Sequence, residues 1–400
     1  MRRWPLLLPL LLITPAVACL NDRDSDSLAQ QAQKLPETLR VVTGRFERNP
    51  PLFYEMRIRR ALGELKGNPR QFDLYDDIAV AYDRLHRDDD ALRVIEQKRA
   101  LLSAYNPRDK ANKEDWYRYY ANAGTFYAHR WLGAGAKKEN IGEMKQGRDF
   151  IKRAIQIKPN AHFGREKYQL MIMEWLIATR EGRNHRSLSQ WIQNADDWDV
   201  AEVQGLKNMS AATEGLNGLI VLGAAWESVD VFEALGASLN RADGVTLRQL
   251  AILRSSELLG KGKKSFVPAI VNDDALFKAQ MEKNLQLNEV GVNDHNQAAL
   301  ADLYPKLRQE ANQWAEERDS YLMAGLKRGS HPDIDSNFWA GWKPSEPPSL
   351  NVLWWSEERL GYINEPWTAP RKLWSTVVVF VGTMGVLALT ARMIWKARKA

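Results

Sequence analysis

Six histidines and a single cysteine, Cys19, bound the nucleophilic and metal chemistry open to this chain. His86, His129, His162 and His185 are scattered through stretches that read as separate helices and turns, so an acid/base pair would need the fold to bring one of them to a carboxylate. His331-Pro332-Asp333-Ile334-Asp335 offers donors for a hard cation within one loop. Three donors without a recognised loop geometry read as a turn or helix cap instead. Asp88-Asp89-Asp90 reads as the first turn of a helix, where negative charge is favoured by roughly 0.3–1 kcal/mol. Gly260-Lys261-Gly262-Lys263-Lys264-Ser265 has Lys263 where a phosphate loop needs its second glycine, which leaves a basic turn. His-Glu-x-x-His, Gly-x-Ser-x-Gly and the dinucleotide glycine fingerprint are all missing from the sequence. These residues predict no enzyme, no cofactor and no metal site.

The elements that would position any site are helices. Tyr75, Ile78, Ala79 and Tyr82 fall at i, i+3, i+4 and i+7, which puts one apolar stripe on one helical face. After the break at Arg87-Asp88-Asp89-Asp90, a second helix carries Ala91, Val94, Ile95 and Lys98. The pattern returns with Tyr120, Ala123, Gly124 and Tyr127, then Gly147, Ile151, Ala154 and Ile155, closed by Pro159. Two helix pairs of this kind over 72–159 resemble the tetratricopeptide repeat, a family whose period is about 34 residues. Ala154-Ile155-Gln156-Ile157-Lys158-Pro159-Asn160-Ala161 is the run most like the family. The first unit departs from it in having His86 where an inter-helix Gly is usual and in ending late, at Asn106-Pro107. The second carries an insert over 133–140.

The resemblance implies a stack of helix pairs whose concave face takes an extended peptide or partner helix. Carried onto this chain, the groove positions are Asp76, Val80, Asp83 and Arg84 in the first unit. In the second they are Arg118, Ala121, Asn122, Thr125 and His129. Gly124 falls where the two helices of its pair cross closely.

The rest of the chain sets the context of that array. Residues 1–18 have the basic start, apolar run and Ala16-Val17-Ala18 end of an export signal. Cys19, directly after it, resembles the acylated cysteine of a bacterial lipoprotein, although Ala16 stands where that box usually has Leu. Residues 373–391 carry no charge and are long enough, at 1.5 Å per residue, to cross a bilayer core of about 30 Å. Trp367, Trp374 and Trp395 flank the run, and Arg392, Lys396, Arg398 and Lys399 follow it. The chain is +6 overall, but eight of its 56 basic residues lie at these ends, which leaves the body at about −2. The basic balance therefore belongs to membrane topology, and nucleic acid is excluded as the partner it serves.

The expected fold class is all-α: a helix-turn-helix solenoid with a polar helical hairpin, a Pro/Trp-rich stalk and one C-terminal transmembrane helix. In order these are a tether (19–35), an N-terminal helix region (36–71), the two repeats (72–159), degenerate helical hairpins (160–272), and a polar hairpin or short coiled coil (273–328) holding the array away from the membrane. A stalk (329–372), the span (373–395) and a cytoplasmic basic tail (396–400) follow. The stalk tryptophans have two other places to go, the bilayer surface or the helical body. The expected function is an extracytoplasmic scaffold on the cell inner membrane, its partner another exported protein or a membrane complex. The alternatives are a spacer between envelope layers and a hydrolase using an unrecognised His/Asp pair within 160–266.

Overall fold

The computed structural model describes residues 38–106, 109–159, 165–193, 209–239, 241–267, 294–346, 349–350 and 362–363. The export signal, Cys19, the tether, the apolar run 373–391 and the basic tail lie outside them. Among the described residues no helix is long and apolar enough to cross a membrane.

The fold is all-α. Its helices are α1 (Thr38–Thr43), α2 (Pro51–Gly67), α3 (Phe72–Arg84), α4 (Asp88–Leu102), α5 (Lys113–Gly133) and α6 (Ile141–Ile157). They continue with α7 (Arg165–Arg180), α8 (Leu188–Gln193), α9 (Met209–Val221), α10 (Val229–Ser238), α11 (Arg241–Gly260) and α12 (Asp294–Lys327). Proline starts α2 at its first position, where the missing N–H costs nothing, and the Asn68 N–H closes the helix on the Glu64 carbonyl. The Tyr75 and Ala91 stripes lie on α3 and α4, the Tyr120 and Gly147 stripes on α5 and α6.

From α2 to α7 each helix packs against the next, and α3 also packs against α5, as stacked helix pairs do. The α5/α6 crossing is close. A Cβ on Gly124 would lie 2.8 Å from the Gly147 carbonyl oxygen, and one on Gly147 would lie 2.6 Å from that of Gly124. Beyond the stack, α10 packs with α8, α9 and α11, while α11 and α12 both return to α1. The main core runs through α2 to α5 and takes in Leu322, Leu326 and Phe338 from the far end of the chain.

Two expectations need correction. From 294 onward the polar hairpin is one helix of 34 residues, with Pro305 inside it. It packs on the body: Leu303, Leu307, Ala311, Leu322 and Leu326 are buried, because α1, α2 and α11 cover that apolar stripe. The start of the stalk is not extended either. Residues 329–345 form turns packed on the body, since Phe338 and Trp339 bury apolar area against Tyr321 of α12. The separate unit 346–400 contains a two-residue antiparallel ladder, Ser349 opposite Ile363 and Leu350 opposite Tyr362.

The missing inter-helix glycine of the first pair has a measurable cost. The Arg87 N–H bonds the Tyr82 carbonyl and the His86 N–H that of Asp83, so His86 ends α3 at φ +57°. Gly135 and Gly329 hold the same position after α5 and α12. A left-handed residue with a Cβ is strained by about 1–2 kcal/mol, of which glycine's extra chain entropy returns about 0.5–1. His86→Gly should therefore raise stability by about 0.5–1 kcal/mol, and a lowered melting temperature would contradict this account of the α3/α4 turn.

Candidate functional site

The residues expected to line a groove form a buried polar seam instead. Asp76, Val80, Asp83, Ala121, Asn122, Thr125 and His129 are all buried, and only Arg84 and Arg118 are half-exposed. The groove reading fails for a physical reason: later parts of the chain cover the faces of α3 and α5 that one hairpin alone would leave to solvent. Gln169 of α7 donates to Thr125 Oγ1 at 3.0 Å. Arg84 donates to the carbonyls of Leu222 and Gly223 at 2.9 and 2.6 Å, and its guanidinium lies 5.0 Å from the Trp226 ring centre. Ala121 packs with Tyr117 and Ala154, and Arg118 reaches Glu114 one turn away at 3.3 Å.

One ion pair and one histidine–carboxylate contact anchor the seam. Lys98 Nζ of α4 lies 2.6 Å from Asp76 Oδ2, with both side chains at 0% exposure, and Asn122 Nδ2 donates to the other oxygen at 3.2 Å. Burial pushes the Asp76 carboxyl up to about 6, against the pull of Lys98 and Arg118. Seven residues along both helices, His129 Nδ1 meets Asp83 Oδ1 at 2.6 Å. The carboxylate fixes the ring in the way a catalytic dyad orients its base, and Asp88, raised to about 6 by burial and then by Asp83, stands nearby. His129 Nε2 is enclosed, however, and has no hydrogen-bond partner among the described residues. A reacting group would need to reach that nitrogen, and the packed helices leave it no path.

The other candidate chemistry is taken up structurally. Asp333 is held by Arg57 and Arg60. Asp89 accepts from Arg130, and Asp90 pairs with Arg87 and Arg93. In the basic turn, Lys261 and Lys263 pair with Glu257 and Glu227. Within 160–266, where a His/Asp pair was sought, His162 lies outside the described residues and His185 is exposed. The buried carboxylates there clamp loops. Asp230 takes the Ser265 hydroxyl at 2.5 Å and the Phe266 N–H at 2.9 Å, while Glu233 takes the hydroxyl and N–H of Ser189. Burial raises them to about 6 and about 7. Glu257, against its burial, is held well below the usual range by Arg308, Lys261, Tyr304 and Arg254.

Among the described residues no group of three or more His, Cys, Asp or Glu is placed to hold a metal ion. Sequence reasoning missed the partners rather than the positions. Lys98 inside an apolar stripe was the one local signal, because a lysine there must either leave the core or find a carboxylate in it. No family model matches the chain, and no curated protein or solved structure does either.

Proposed function

We propose that the chain is an exported, membrane-anchored scaffold whose tetratricopeptide-like stack presents a rigid body outside the cytoplasmic membrane. The observation that carries this reading is the seam itself. Its buried polar contacts join α3 to α4 and α3 to α5, where they fix register and offer a solute nothing to react with. The partner is another exported protein or a membrane complex, and it docks on the outer helices. Residues 373–391 supply the anchor, with the basic tail in the cytoplasm.

The filled inner face favours one second reading, a spacer that bridges envelope layers, with Cys19 acylated at the other end. Protease added outside inner-membrane spheroplasts should digest 20–370 and leave a small C-terminal fragment. A protected full-length body would end both readings. Mass spectrometry of the mature N-terminus then separates them, since the spacer needs a lipid on Cys19.

A further inference from the structure

We propose that residues 329–345 form a detachable strap, hinged at Gly329 and bolted to α2 by Asp333, which covers an apolar face of α2 and α12. The contacts that hold the strap lie within the body, whether or not the chain is anchored in a membrane.

The hinge is the end of α12. The Ser330 N–H bonds the Gly325 carbonyl, the Gly329 N–H bonds that of Leu326, and Gly329 sits at φ +87°. The chain leaves the helix there through a residue that rotates without steric penalty. The next residues fold on themselves. The N–H groups of Ile334 and Asp335 both bond the His331 carbonyl, and Ser330 Oγ donates to Asp335 Oδ2 at 2.7 Å. This turn keeps its internal hydrogen bonds whether or not it is docked, so it can move as one piece.

Among the described residues, side-chain contacts rather than backbone ladders hold it down. Asp333 takes two hydrogen bonds from the fully buried Arg57, at 2.9 and 2.7 Å, and a third from Arg60 at 2.7 Å. His331 stacks on Phe53 with centroids 4.4 Å apart, and its Nε2 lies 3.0 Å from the Phe53 carbonyl oxygen. Its Nδ1 accepts the Asp333 N–H, so Nε2 carries the ring proton and donates. Burial holds this histidine below its usual range, which favours the neutral ring that the geometry requires. Further along, the Phe338 ring lies so close to α12 that a Cβ on Gly325 would meet it at 2.4 Å. Trp339 stacks on Tyr321 and takes Arg318 over its face. The far end is tied where Arg45 donates to the Ser345 carbonyl.

The helices beneath do not depend on the strap for their own hydrogen bonds. Releasing it gives up the Asp333 pairing, the His331 contact with Phe53 and the contacts of Phe338, Trp339 and Trp342 with Tyr321, and uncovers Phe53, Tyr321 and Leu326. A segment without helix or strand, fixed through side chains and not through a backbone ladder, opens separately from the stack it covers.

Native-state proteolysis of the full chain in detergent micelles tests this, with chymotrypsin cutting at Phe338, Trp339 and Trp342. Cleavage of a transiently opened segment follows its open population. Asp333→Asn leaves Arg57 buried against a neutral partner and should speed these cuts on the order of 100-fold or more. Cleavage within α5 and α6 should keep its wild-type rate. Gly325→Ala acts by sterics alone, pushing Phe338 outward while favouring the helix, and should speed the same cuts about 10-fold or more. The strap is overturned if neither variant accelerates cleavage at 338–342. It is equally overturned if those cuts rise only in proportion to cuts in α5 and α6, because the segment would then open only with the whole fold.

Discussion

Lys98→Met should destabilise the body by about 3–5 kcal/mol, the usual cost of removing one member of a buried ion pair. Methionine fills nearly the same volume, so little of that loss is cavity. What remains is Asp76, fully buried, with Asn122 still donating to one oxygen and no cation on the other. Asp115 stands 3.6 Å from Lys98 and would add repulsion once the lysine is gone. Since whole domains are stable by only about 5–15 kcal/mol, the melting temperature should fall steeply.

The pH dependence of the variant follows from the same carboxylate. Its folded-state affinity for a proton is already raised to about 6 with Lys98 present, and losing the lysine raises it further. A group raised in the fold contributes full stability below its unfolded value near 4 and loses it as pH rises through the folded value. Lys98→Met should therefore be nearest to wild type around pH 4 to 5 and furthest from it above pH 7. Adding Asp76→Leu to Lys98→Met should recover much of the loss at neutral pH, because neither member of the pair is then left without the other. A Lys98→Met protein that melts like wild type at pH 7 would show that the pair is not closed in solution.

The stack was legible because its signals are local. Asn49-Pro50-Pro51 and Gly67-Asn68-Pro69 bracket α2 at Pro51–Gly67, and the apolar stripes of α3 to α6 recur within single helices. The site was not legible, because the contacts that bury it join residues on different helix pairs. Asp76 meets Asn122, and Asp83 meets His129, both across 46 positions; Arg84 meets Leu222 across 138. On a wheel drawn for one hairpin, Asp76, Asp83 and Asn122 point away from the apolar stripe and read as solvated. Lys98 of α4 and the pairing of α3 with α5 make them interior, beside the third layer of α7 and the 222–226 turn that covers Thr125 and Arg84. The strap escaped for the same reason: prolines and tryptophans over 329–370 describe a stiff exposed segment equally well, and what decides is Arg57 finding Asp333 across 276 residues.

Gly124 is the position where a local signal and a long-range consequence coincide, and Gly124→Ala should reverse the sign that helix propensity predicts. In a helix interior, alanine is ordinarily favoured over glycine by about 0.5–1 kcal/mol. Gly63 of α2 has no atom within 4 Å of an added Cβ, so Gly63→Ala should show that ordinary gain. At Gly124 the new methyl would lie 2.8 Å from the Gly147 carbonyl oxygen and 2.8 Å from the Ile151 side chain. The isoleucine could turn away, but the carbonyl belongs to the α6 backbone, so relief requires the two helices to separate. Separation would also loosen Gly147, whose own Cβ position is bounded by Met173 of α7 at 3.0 Å, and the strain would pass into the next pair. Overpacking of this kind costs about 1–3 kcal/mol, and Gly124→Leu should fall at or beyond the upper end. Melting both alanine variants beside wild type gives the comparison directly. If Gly124→Ala gains stability as Gly63→Ala does, α5 and α6 do not cross at this glycine pair, and the register that buries Asn122 and His129 would have to be redrawn.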